Sequence, residues 1–98
     1  MTNAFITSLN QLAEAHVAKM RDRHPYGIDQ PGLLRLALGE NLFLSEMDVR
    51  RRWIGQNCKR RFWVDDQTKD GAVVGKRYRF EDIHEAARFR VRFWPRQP

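Results

Sequence analysis

Residues 61–80 read RFWVDDQTKDGAVVGKRYRF. Two runs rich in aromatic and β-branched residues, Arg61–Val64 and Val73–Phe80, flank a polar segment that ends in Asp70-Gly71. Such side chains fit a pleated, half-buried surface, so both runs favour strands. An Asp-Gly pair supplies the positive φ that a tight hairpin turn needs. The spacing therefore predicts a β-hairpin, made basic by Arg61, Lys76, Arg77 and Arg79. Alternation in a half-buried strand sends Phe62, Trp63, Tyr78 and Phe80 to the core. Exposed instead, they would be stacking platforms for unpaired bases.

Upstream the period changes from two to about 3.6. From Thr2 to Arg23, Ile6, Leu9, Ala13, Val17 and Met20 recur at helical spacing, flanked by Phe5, Leu12 and His16. Thr2 or Asn3 could cap this helix, and His24-Pro25-Tyr26-Gly27 ends it. Its stripe is expected to cover the core; the alternative is a homodimer through this N-terminal helix. A second helix is expected over Gln30–Leu38, with Asp29 as N-cap, Pro31 in the first turn and Gly39 as the stop. Leucines surround it, which predicts a central place in the core. Ser45 opens a third helix to about Gly55, with an acid at capping-box spacing. Met47, Val49, Trp53 and Ile54 share one arc, Arg51 and Arg52 project elsewhere, and Arg50 falls within the apolar arc.

Downstream of the hairpin, Glu81–Ala87 suggests a short helix. Arg88, Arg90 and Arg92 then alternate with Phe89, Val91 and Phe93, which favours a strand with one cationic and one apolar face. Pro95 and Pro98 mark a frayed tail. The whole predicts one α+β domain over residues 1–98, with N-terminal helices followed by a basic hairpin or wing, a short helix and a C-terminal strand, winged-helix-like in plan.

Several chemistries are unsupported by the residues. Cys58 is the sole cysteine, so an intrachain disulfide and a Cys-rich zinc site are excluded; a reducing, cytoplasmic setting is expected. Residues 57–60, Asn-Cys-Lys-Arg, form a basic stretch that would lower the thiol's pKa. His16, His24 and His84 are scattered, and no metal or other cofactor is expected. Asp66–Gly71 resembles the start of a calcium loop, but its twelfth position is Arg77, where an acid is required. Neither a GxSxG nor a phosphate-binding glycine loop is present, and the chain reads as a non-enzyme. No apolar run is long enough to span a bilayer, and the N-terminus lacks signal-peptide character.

Charge is the strongest functional signal. The chain carries a net +6. Residues 1–49 hold four Lys/Arg against six Asp/Glu, whereas residues 50–98 hold fourteen against six. This asymmetry points to a polyanion, most commonly nucleic acid. The candidate contacts are Arg50, Arg51, Arg52, Lys59, Arg60, Arg61, Lys76, Arg77, Arg79, Arg88, Arg90 and Arg92, with Arg96 beyond them. The first alternative is an interaction module or inhibitor docking on an acidic protein surface, anchored by Trp94 or Arg92. The second is RNA binding.

Residues 48–55, DVRRRWIG, resemble the recognition helix of excisionase and MerR-type winged-helix DNA-binding proteins, which carries a similar Val-Arg-Arg-Trp-Ile core. Residues 74–83, VGKRYRFEDI, are similar to that family's wing strand and the start of its next helix. Together the two motifs cover part of the chain only. The resemblance implies that the Arg50–Ile54 helix enters the major groove and that the Lys59–Phe80 hairpin lies over the adjacent backbone. A DNA-binding regulatory or architectural factor is the function expected.

Overall fold

A computed structural model describes the backbone of residues 4–94 and the side chains of residues 8–94. Expectations at Thr2, Asn3, Phe5, Ile6, Pro95, Arg96 and Pro98 lie outside those described residues. The elements are α1 (Ala4–Arg23), β1 (Tyr26–Pro31), α2 (Arg35–Leu38), α3 (Glu40–Asn57), β2 (Phe62–Lys69), β3 (Ala72–Phe80) and α4 (Ile83–Arg92). The three strands form one antiparallel sheet in the order β1-β3-β2. The fold is α+β.

The hairpin forms where the residue pattern places it. Asp70 and Gly71 both take positive φ, 52° and 80°, the geometry of a tight two-residue turn. Strand β2 runs on through Lys69 instead of stopping at Val64, because the polar residues of its second half pair with β3. Tyr78 lies opposite Ile28 and Val64, and Phe80 opposite Tyr26 and Phe62. These residues look towards α3 and α4, where Tyr78, Phe80, Phe43, Ile54, Ala86, Phe89 and Phe93 make the core. Tyr78 and Phe80 are therefore core residues and not an exposed stacking platform. Burial pushes the Tyr78 hydroxyl up to about 12.

Three expectations need correction. First, residues 26–31 are a strand. Asp29 and Pro31, which resemble a helix start, sit on an edge strand; Pro31, at its last position, has no amide N–H to offer a neighbour. A β-carbon on Gly75 would collide with the Gln30 carbonyl and stand 2.9 Å from Pro31 Cα, so the absent side chain is what lets β1 close on β3. Second, the expected central helix is a single turn, with Leu36 100% exposed and only Leu33 of its leucines buried. Gly39 stops it, and α3 begins directly at Glu40, five residues before the expected start. Third, residues 88–92 continue α4 and are not a strand. Asp82 caps this helix by accepting hydrogen bonds from the His84 and Glu85 amides, which also hold its carboxyl below the ordinary range. Phe89 and Phe93 then share its buried face at a spacing of four.

Helix α1 meets the remainder through its C-terminal turns. Leu12 is 66% exposed and Leu9 is exposed as well, whereas Val17 and Met20 are half-buried. The expected core-covering role thus applies only to its end. There Arg21 donates to Asp65 at 2.7 and 3.2 Å. Asp65, buried on the outer sheet face, also accepts from Arg79 at 3.3 Å. Burial alone would raise the Asp65 carboxyl, but the Arg21 hydrogen bonds, the Asp66 amide and the two cations outweigh it and lower its pKa. A lowered folded pKa gives stability that is present above the unfolded value of about 3.9 and is lost as pH falls through the folded one. Chemical denaturation is expected to show a flat Asp65 contribution from neutral pH to about 5, then a decline below about 4. Asp65→Asn should be less stable at neutral pH and should lack part of that acid limb. An unchanged acid limb would contradict the assignment.

Candidate nucleic-acid interface

The Lys59–Arg61 loop is fixed at one end of the molecule by a buried carboxylate. Helix α3 ends at Asn57, where the Cys58 amide still donates to Ile54 O at 2.8 Å. Beyond it, Glu85 accepts from the Lys59 amide at 2.7 Å and the Arg60 amide at 3.1 Å. Arg88, one turn further along α4, donates to Asn57 O at 3.2 Å. Trp53 meets Phe89 and Phe93 edge-on, at 5.9 and 5.7 Å between ring centroids, and so fixes α3 against α4. These contacts bring the Lys59–Arg61 segment next to Arg88, with Arg92 a further turn along the Arg88 face. Lys59, Arg60, Arg61, Arg88 and Arg92 are all exposed.

Within this group Arg88 also stands 3.8 Å from Glu85 and the Arg92 guanidinium lies 4.8 Å from the Phe93 ring centroid; the other candidate cations are held by closer partners. Arg50 is 13% exposed and donates to Gln30 Oε1 at 2.9 Å and Glu46 Oε2 at 2.8 Å. Its guanidinium lies 5.0 Å from the Phe93 ring centroid. The apolar arc of α3 therefore accommodates Arg50 by giving it partners, which removes it from the solvent. Lys76 is paired with Asp66 at 2.7 Å, Arg77 with Asp29 at 2.5 Å, and Arg79 with Asp65. The hairpin is thus basic in sequence but internally neutralised. Arg51 and Arg52 are exposed yet share Asp48, whose carboxyl those two hydrogen bonds hold below the ordinary range. Arg90 turns away from Arg88 and Arg92 and covers Trp94 at 4.4 Å. The row of three arginines is split because a helix, unlike a strand, separates positions i and i+2 by about 200°.

Cys58 reverses its expectation. Burial and then the Glu85 charge raise its thiol pKa, outweighing Arg88, so the basic stretch around it does not create a reactive thiolate. Sequence reading missed Glu85, since nothing local ties it to amides about 25 residues away. Among the described residues, no three His, Cys, Asp or Glu side chains are grouped as a metal-ligand set. No helix among them is long and apolar enough to cross a membrane. On the opposite side of α4, Tyr26, Ile83, Val91, Trp94 and Arg90 line an apolar cleft of about 610 Å³. Comparison with protein-family models, curated proteins and solved structures gave no match.

Proposed function

We propose that the protein binds duplex DNA, as a small regulatory or architectural factor of the cytoplasm and without catalysis. The carrying observation is the gathering of Lys59, Arg60, Arg61, Arg88 and Arg92 by Glu85 and the Trp53 contacts. Arg51 and Arg52, earlier on α3, are exposed but already share Asp48. Arginine forks suit phosphate oxygens and guanine edges. The likeness of residues 48–55 to a winged-helix recognition helix supports the same reading. Arg50, Lys76, Arg77 and Arg79 have structural duties in it.

Five neutralised phosphates give a log–log salt slope of about −4.5. Affinity for duplex, single strand and RNA, measured at several salt concentrations, tests this. Arg61→Ala should make the slope shallower by about one unit, whereas Lys76→Ala, already paired to Asp66, should leave it unchanged. A flat salt response removes the proposal.

The cleft beside Trp94 favours a second reading, docking on an acidic protein through Trp94 and Arg90; Arg92, the other anchor expected from the sequence, does not line it. A partner retained after nuclease treatment would favour it. Exposed Leu9 and Leu12 on α1 also support a homodimer through that helix. Light scattering should then show concentration-dependent mass, abolished by Leu12→Glu; a constant monomer mass would refute it.

A further inference from the structure

Of the sheet's two edges, β2 is defended and β1 is open. Strand β2 carries Asp66 and Lys69 and is broken by a bulge at Gln67/Thr68, devices that discourage a further strand. On β1, Tyr26, Gly27 and Ile28 hold no charge and no proline. The Gly32 amide donates to Val74 O at 2.9 Å. Gly32 and Val74 continue the register of Pro31 with Gly75, so alternation turns the backbone of Ile28 and Gln30 towards β3 and that of Gly27 and Asp29 away from it. The Asp29 carbonyl accepts from Gln30 Nε2 at 3.0 Å. Gly27 N–H, Gly27 C=O and Asp29 N–H remain as a short ladder for another strand.

Helix α4 runs beside that edge. It starts near Tyr26, which is paired with Phe80, and ends near Gln30, which donates to Phe93 O at 2.8 Å. Tyr26 and Ile28 line the cleft of about 610 Å³ together with Ile83, Val91 and Trp94. Val91 is 82% and Trp94 56% exposed, so the apolar wall faces outward. Among the described residues, Arg90 is the one charged residue of the lining. It is exposed, and its guanidinium lies face-on to Trp94, which leaves its in-plane N–H donors for a carboxylate.

We propose that this cleft takes an extended acidic peptide of a partner protein, which adds to β1 as a fourth strand. The strand sets an apolar side chain against Ile83 and Val91 and a carboxylate side chain on Arg90, main-chain bonds supplying affinity and the cleft supplying specificity. Ile83 and Arg90 are separated by about 10 Å of helix at 1.5 Å per residue. A strand covers that distance in about three residues, and its same-face positions differ by even numbers. The acid therefore stands two or four residues from the apolar side chain. The proposal rests on the second reading, docking through Trp94 and Arg90, and takes nothing from the DNA interface.

The full chain, used to select from a phage-displayed library of random dodecapeptides, tests it. Enriched peptides should alternate apolar and polar residues, with Asp or Glu two or four positions from an apolar residue. The most enriched, resynthesised with both ends blocked, should slow hydrogen exchange at the Gly27 and Asp29 amides about tenfold at ten times its Kd. Arg90→Glu should weaken it at least about tenfold, and replacing the peptide's acid by lysine should restore binding to that variant; a merely misfolded variant would not recover. Acidic peptides that lose affinity in Trp94→Ala yet leave both amides unprotected would overturn strand addition and spare acidic docking. Enriched peptides without an acid, or no enrichment at all, would overturn both. A dimer mass in light scattering abolished by Val91→Glu and not by Leu12→Glu would seat a second copy in the cleft and overturn the peptide.

Discussion

Phe89→Ala should cost about 3–5 kcal/mol, the largest loss expected from a single truncation in this chain. Phe89 is 0% exposed. Its ring centroid lies 4.9 Å from both Tyr78 and Phe93, 5.2 Å from Phe80 and 5.9 Å from Trp53. It therefore touches aromatic rings of α3 and β3 as well as the one that follows α4. Truncation removes apolar transfer energy and leaves a void among rings that are stacked or tilted against it and cannot all collapse inward. Thermal melting should fall by at least about 12 °C, given roughly 4–8 °C per kcal/mol for a domain of this size. Phe89→Leu should recover more than half of the loss. A drop below about 1.5 kcal/mol in denaturant titration would mean that Phe89 is not the centre of the core.

Glu85→Ala is the second large effect. The carboxylate is buried, and it holds the amides of Lys59 and Arg60. Hydrogen bonds to a charged group contribute about 1.5–3 kcal/mol each. The two amides lie in an exposed loop and regain water when released, so the expected total is about 2–4 kcal/mol. Hydrogen exchange at Lys59 and Arg60 should accelerate beyond the change seen in α3. Glu85→Gln should recover part of the loss, since its single carbonyl oxygen serves only one of the two amides well. Under the proposed function, affinity for duplex DNA should fall while the salt slope holds, because the cations remain but must be ordered on binding. Unaltered exchange at both amides would disprove the tether.

The hairpin was legible because its signals are local: β-branched and aromatic runs, then Asp70-Gly71. Strand β1 was not. Its six residues gain strand geometry from pairing with residues 75–80, while Asp29 and Pro31 locally imitate a helix start. Residues 88–93 misled for a different reason. Phe89, Val91 and Phe93 satisfy a period of two, but Phe89 and Phe93 alone, with Ala86, satisfy a helical face, and the cap at Asp82 starts that helix. As for the site, the cationic clusters were visible but their availability was not. Arg77 meets Asp29 across 48 residues and Arg21 meets Asp65 across 44, and no spacing rule reaches that far. Arg50 is the intermediate case: its place in an apolar arc demanded a partner, and Glu46, four residues earlier, was within reach of the rule for helix neighbours.

Asp65 has one further consequence. It is a mooring shared by α1 and the outer surface of the sheet, with Arg21 on one side and Arg79 on the other. One proton on that carboxylate loosens both lines at once, although Arg79 keeps its hold on the His24 carbonyl just beyond α1.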